Sequence, residues 1–314
     1  MRNRTLDNVL LVYKKSLYRL YFLEKRTRPP EHWFSPVDLA KFEASHRAHE
    51  MALAAVKAVL SARGVRFHCV YRARHVDYAD HDFVIAVGGD GTLIEAARAV
   101  GSQPVLGVNS DPGRSHGHFC CTDHAHFGAM LDAVLAGTAR TLKLNRMALK
   151  LDDQPLPVTV MNELLVSHER QAAMSLYWLM AGNREEYQRG SGLWISTAVG
   201  STGAIRSAGG RLLSPRSRRL QFLARELFRG GGREYLLSRG FVTPGDKLMV
   251  QSAMREGMLF LDGCHYRIPF GFGRTLEASS ADCPLHLIVT GREGVCQAQQ
   301  QRPCRPTENS RAPR

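Results

Sequence analysis

Short apolar runs and longer stretches of helical spacing alternate through the first 125 residues. Val9–Tyr13 is an apolar run of strand length, followed by a basic insertion from Lys14 to Pro30. A long helical pattern occupies Pro36 to Arg63, with Ser35 placed to cap it, Pro36 at the first helical position and Gly64 as a stop. Arg66–Tyr71 and Phe83–Val87 read as further strands. The second runs straight into Gly88-Gly89-Asp90-Gly91-Thr92 and a helical stretch, Leu93–Val100. Pro104–Asn109 is another strand of buried type. This alternation predicts a parallel α/β sheet.

The texture then changes. One helix, His126–Gly137, precedes strand-like segments at Thr141–Leu151, Val158–Ser167, Met174–Ala181, Leu193–Thr197, Lys247–Ser252, Met258–Leu261 and Leu285–Thr290. Helical spacing survives only at Thr202–Ala208 and Arg218–Phe228. The expected organisation is an α/β domain over 1–125 and a β-rich, sandwich-like domain over 126–290, whose last strand is able to return to the N-terminal domain. A polar tail over 291–314 is expected to be disordered.

Composition narrows the function classes. With 314 residues, 44% of them hydrophobic, the chain has material for one or two real cores. No apolar run approaches the length of a membrane span. The opening MRNRTLDNVLLVYKK has an apolar stretch too short for a signal peptide, so a cytoplasmic protein is expected. Seven cysteines, without a C-x-x-C pair, indicate neither a disulfide framework nor a zinc ribbon. A net charge of +13 leaves nucleic acid, an anionic membrane surface or small polyanions as candidate partners.

Three segments carry candidate chemistry. In VIAVGGDGT (84–92) an apolar strand empties into a glycine turn and a helix, which offers backbone N–H groups to a phosphate. Asp90 sits there at the carboxyl end of the strand, where α/β sheets bind ligands, and can take a proton from a hydroxyl or hold Mg²⁺. Asn162-Glu163 opens a strand-like run with an amide beside a carboxylate, a pair suited to ribose hydroxyls. RGSGLWISTAVGSTGAIRSAGG (189–210) crowds small and hydroxyl residues around a turn at Gly200. A fourth segment, HGHFCCTDHAH (116–126), can be drawn as a metal site, but its residues are spaced too tightly for the usual fingers, and no metal site is assigned.

Taken in order, GGDGT, NE, the G-x-G-x-x-x-S-T-x-x-G-S-T stretch at 190–202 and SAGG at 207–210 resemble the NAD kinase family. VNSDPGRSHGHFC (108–120) is similar to the family's substrate loop, with Phe119 at its aromatic position, and LFLDG (259–263) to its later Asp-containing strand. The resemblance implies an N-terminal α/β domain, a β-rich C-terminal domain and an active site between them, often completed by a neighbouring subunit in a homodimer or homotetramer. It implies an enzyme that phosphorylates the 2′-hydroxyl of the adenosine ribose of NAD(H), with ATP as donor and Mg²⁺ or another divalent cation as cofactor. Asp90 would be the base or orienter for that hydroxyl. Gly88, Gly89, Gly91, Thr92, Phe119, Asn162, Glu163, Ser191, Thr202, Gly203 and Ser207 would bind nucleotide. Two departures, Ser191 for the family's usual Asp and Thr202-Gly203-Ala204 where the family has Tyr after Ser-Thr-Ala, resemble the branch that prefers NADH. Losing a carboxylate near the nicotinamide removes an attraction for the cationic oxidised ring.

Other readings are a lipid or small-molecule kinase sharing GGDGT, and a non-catalytic dinucleotide sensor. The NE and GST segments weigh against the lipid kinase. A nucleic-acid module finds no motif to support it. The positive charge is local: nine arginines against two glutamates fall in 205–239, directly after the GST stretch, and two peripheral segments, 1–47 and 291–314, carry ten basic against five acidic and five against two.

Overall fold

The computed structural model describes residues 6–24, 33–74 and 76–290. A seven-stranded sheet runs in the order Phe67–Tyr71, Val9–Tyr13, Phe83–Gly88, Pro104–Asn109, Leu285–Val289, Arg140–Leu144, with the short strand Thr122–Asp123 beside Pro104–Asn109. Its pairings are parallel except that of Arg140–Leu144, which runs antiparallel to Leu285–Val289. Side chains alternate between its two faces, and both faces are covered. Val9, Leu11, Phe83, Ile85 and Val87 pack with helices Pro36–Ala62 and Phe127–Leu135. Leu10, Val12, Val84 and Ala86 pack with helix Asp90–Ala99 through Leu93, Ala96 and Ala97. Met161 and Val199, from the second half of the chain, join that same cluster.

Local signals set the long helix. The Ser35 hydroxyl accepts the Asp38 N–H at 3.1 Å, Pro36 opens the first turn, and Gly64 leaves the helix with φ +68° while the Val65 N–H closes back onto the Leu60 carbonyl. His49, Ala52, Leu53, Val56 and Leu60 form its buried stripe.

The second half is two antiparallel six-stranded sheets packed face to face. One runs Arg184–Gly190, Ser175–Ala181, Lys247–Ser252, Thr275–Ser280, Met147–Leu151, Gln154–Pro155; the other runs Arg239–Val242, Leu220–Arg225, Gly192–Ser196, Glu163–His168, Gly257–Leu261, Tyr266–Pro269. Leu149, Val166, Tyr177, Ile195, Phe222, Val250 and Leu259 fill the space between them. The expected architecture, an α/β unit with a parallel sheet followed by a β-rich unit, is what the structure has.

The structure corrects several expected elements. Arg218–Phe228 is not a helix; Leu220–Arg225 is a central strand between Gly192–Ser196 and Arg239–Val242. Thr141–Leu151 is not one strand, because the chain changes sheets at Asn145-Arg146. Regular pairing in Val158–Ser167 begins only at Glu163, with Val160 bridging Met147 alone. The strands Arg184–Gly190, Arg239–Val242, Tyr266–Pro269 and Thr275–Ser280 were not anticipated. The expected disordered tail lies outside the described residues. Among the described residues no helix is long and apolar enough to cross a membrane.

Arg146 joins the two halves. Its guanidinium is fully buried and donates to the carbonyls of Ala97, Val100, Gly101 and Cys283, around the C-terminal end of helix Asp90–Ala99. A cation there meets the negative end of the helix dipole, which offsets part of its burial.

Candidate active site

The glycine turn is shaped by contact distances. A Cβ on Gly88 would lie 2.2 Å from Thr92 Oγ1, so only glycine lets the first turn of helix Asp90–Ala99 fold back against the strand end. Asp90 is the first residue of that helix, where a carboxylate complements the dipole. Its Oδ2 accepts the His118 N–H at 3.0 Å and its Oδ1 the Phe119 N–H at 2.8 Å. Asp90 thereby holds the 110–121 loop over the sheet's carboxyl edge. Asn109 supports the loop from below, donating to the Ser115 carbonyl and accepting the Asp111 N–H. Gly117, at φ +55°, passes so close that a Cβ would sit 2.4 Å from Asn109 Nδ2.

The second wall is built from Asn162-Glu163 and the 196–203 turn. Thr197 donates its N–H to the Asn162 carbonyl at 2.9 Å and its hydroxyl to the Met161 carbonyl at 2.6 Å. A Cβ on Gly200 would fall 2.1 Å from the Asn162 carbonyl oxygen, and one on Gly203 would fall 3.0 Å from Glu163 Oε2. Asn162 Oδ1, Glu163 Oε2 and Thr92 Oγ1 are buried without a hydrogen-bond partner. Unmet acceptors of this kind suit a ligand that brings hydroxyl or amino donors. Burial, and then the charge of Asp262, push the Glu163 carboxyl up to about 7.

The two walls face one cleft. A cavity there is lined by His118, Phe119, Ala198, Val199, Thr202, Leu212, Leu213 and Pro215, with Asp90 beneath it through its bonds to the 118–119 backbone. Of the expected residues Phe119 and Thr202 line this cavity; Asp90, with Gly88, Gly89, Gly91 and Thr92 in its turn, is joined to it through the 118–119 backbone, and Asn162, Glu163 and Gly203 pack behind Thr202 in the 196–203 turn. Ser207 is exposed on the short helix Ala204–Ser207 that follows the turn. Ser191 is not brought to this cleft. It lies at the opposite end of strand Gly192–Ser196, about 17 Å of extended chain from the 196–203 turn, in a hollow with Gln171, Met174 and Phe228.

Four further residues reach the site without having been selected from the sequence. Lys14 follows Tyr13, which is level with Val87, and so stands beside the glycine turn. Burial pushes its ammonium below the ordinary value, with Arg72 adding to the shift and Asp111 opposing it. Arg72 pairs with Glu95 at 3.3 Å, and its Nη1 would be 3.5 Å from a Cβ on Gly91. His118 is held below its ordinary value by burial, against the pull of Asp90. Asp262 accepts three successive N–H groups from Met161, Asn162 and Glu163. The sequence signals were a lysine ending a buried strand, the histidine of the 108–120 segment and the Asp of LFLDG.

The His/Cys-rich loop does not gather ligands. Burial pushes the Cys120 and Cys121 thiols up to about 12 and about 11, and among the described residues no three His, Cys, Asp or Glu side chains are grouped to hold a metal. For a magnesium ion the fitting arrangement is Asp90 with oxygens of a bound polyphosphate, since Mg²⁺ commonly takes one or two carboxylates plus substrate phosphates.

Residues 37–139 match the family model described as the ATP-NAD kinase N-terminal domain. A probable NADH kinase of Oryza sativa subsp. japonica is 35% identical over 266 residues, 77% of this chain and 82% of that protein. The NADH kinase of Arabidopsis thaliana is 33% identical over 292 residues, 85% and 91% of the two chains. Among solved structures, yeast NADH kinase complexed with NADH superposes with a TM-score of 0.66 at 14% identity, over 92% of this chain and 84% of that one. An NAD kinase from Archaeoglobus fulgidus in complex with ATP gives 0.62 at 18%, over 90% and 93%. With relatives of that identity and coverage and a shared fold, the chain belongs to the NAD kinase family.

Proposed function

We propose that this protein is an NAD(H) kinase that transfers a phosphoryl group from ATP to the 2′-hydroxyl of the adenosine ribose, giving NADP(H), with NADH as the preferred acceptor. The observation that supports this is one cavity shared by Phe119, whose N–H is held by Asp90, and Thr202, whose turn packs on Asn162 and Glu163, from segments far apart in the chain. A ribose hydroxyl is a poor nucleophile, so positioning and charge must supply most of the rate. Asp90 orients the hydroxyl and accepts its proton as its oxygen bonds to the γ-phosphorus of ATP, while the bond from that phosphorus to the bridging oxygen breaks and ADP leaves. Asn162 and Glu163 hold the dinucleotide through their unmet acceptors, and Phe119, Thr202 and Gly203 lie along it. The helix N-terminus at Gly89–Gly91, with Lys14 and Arg72, receives the donor's phosphates. A divalent cation carried by those phosphates would neutralise charge as the phosphoryl group moves.

The NADH preference is supported by Ser191, which replaces a carboxylate, and by relatives named NADH kinases. Because Ser191 lies outside its own chain's cleft, it bears on a nicotinamide only from a second copy. We therefore read the working form as a homodimer or homotetramer in the cytoplasm. The test is one assay: purified protein with NAD⁺ and NADH, each against ATP and polyphosphate, scored for NADP(H). NADPH formed from NADH and ATP, with kcat/KM above that for NAD⁺, is the expected result. A clear NAD⁺ preference ends the NADH assignment, and no product from either dinucleotide ends the kinase reading.

A further inference from the structure

The second wall depends on a residue that does not itself face the cleft. Asp262 directly follows strand Gly257–Leu261, and its backbone lies in the left-handed region at φ +49°. Its side chain is completely shielded from solvent. The carboxylate accepts the N–H groups of Met161 at 3.0 Å, Asn162 at 2.6 Å and Glu163 at 3.3 Å, while its own N–H returns to the Glu163 carbonyl at 2.9 Å. On its other side is Arg98, whose Nε is 3.8 Å from Oδ2 and whose guanidinium covers the Tyr266 ring at 5.7 Å. Arg98 belongs to the helix that Asp90 begins, and its carbonyl accepts the Thr159 N–H. One buried carboxylate therefore sets the backbone of the Asn162-Glu163 wall and faces a cation on the Asp90 helix.

We propose that Asp262, backed by Arg98, is a positioning residue that fixes Asn162 and Glu163 for the dinucleotide and ties them to the helix carrying Asp90. The proposal rests on the kinase reading above. Three donors in sequence hold a carboxylate more firmly than they would hold a neutral amide, because bonds to a charged acceptor are the stronger ones. The charge also acts through space on Glu163. The charged group that acts on Glu163 is Asp262 from the strand end; Arg98 from the helix, with Tyr266 behind it, faces Asp262 in turn. The Gly200–Gly203 turn brings none.

The test compares wild type, Asp262→Asn and Glu163→Gln in full-length protein, with kcat, KM for NADH and NADH binding by fluorescence from about pH 5.5 to 8.5. Glu163→Gln removes the acid limb due to Glu163 and so separates it from any contribution of His118, which also lines the cleft. Asp262→Asn is expected to raise KM for NADH about tenfold with a smaller change in kcat. It is also expected to move the Glu163 limb to lower pH, since a like charge has been withdrawn. A part that only supports the fold would leave that limb in place, so an unmoved limb overturns the proposal. If Asp262→Asn does not fold, Arg98→Gln carries the test: removing the cation that faces Asp262 loosens the Asn162-Glu163 backbone, so KM for NADH should rise about threefold with a smaller change in kcat, and an unchanged KM overturns the proposal. Wild-type protein without turnover on either dinucleotide would instead defeat the kinase reading.

Discussion

At the scale of single residues, Asp90 and Glu163 are two carboxylates in contrasting surroundings. Asp90 is met by two backbone N–H groups at the head of a helix, whereas Glu163 keeps one oxygen buried and unpartnered. Asp90→Asn should lower kcat by about 10²–10⁴-fold while largely keeping NADH binding, because only one of the two loop N–H groups loses its acceptor. Ordinary turnover in that variant would remove Asp90 from the chemistry. Glu163 has consequences for stability as well. Its carboxyl is raised from 4.5 to about 7 in the folded protein, so the native state binds more protons than the unfolded chain between those values. Its contribution therefore falls as pH rises from about 4.5 to about 7. Denaturation midpoints across that range should decline more steeply for wild type than for Glu163→Gln; parallel curves would contradict the shift.

Among the elements, helix Asp90–Ala99 is gripped at both ends, by the glycine turn at its head and by Arg146 at its tail. Arg146→Met keeps the bulk but leaves four carbonyls without their donor. It should cost about 3 kcal/mol or more in chemical denaturation and loosen the Asp90 end with it. The same helix shows what the sequence made legible. Its glycine turn, the Asn162-Glu163 pair and the 196–203 turn are local patterns, and each could be read in place. Lys14 and Arg72 could not, because strand register brings them beside the glycine turn from other segments; Asp262 lay in a segment that stood out, but its place behind the second wall did not. Likewise LQFLARELF spaces its apolar residues acceptably for a helix, and only pairing with Gly192–Ser196 makes Leu220–Arg225 a strand. Arg184–Gly190 carries no apolar alternation at all; as an edge strand it needs little.

For the molecule as a whole, the +13 charge is concentrated rather than spread. The arginine-rich 205–239 segment, with nine arginines against two glutamates, includes the loop whose Leu212, Leu213 and Pro215 line the cleft, and the two ends of the chain carry most of the rest of the excess. The interior strand Leu285–Val289 has a different implication, one of timing. It fills the slot between Pro104–Asn109 and Arg140–Leu144, so the sheet that carries Asp90 cannot close until synthesis has passed residue 289. A chain stopped at residue 139, where the match to the N-terminal family segment ends, should aggregate or unfold without cooperativity, which gel filtration and thermal melts would show. Adding a peptide that spans 281–290 should partly restore it. Only a chain made far enough to supply both walls of the cleft can complete its first sheet, and partial products fail before they can bind nucleotide.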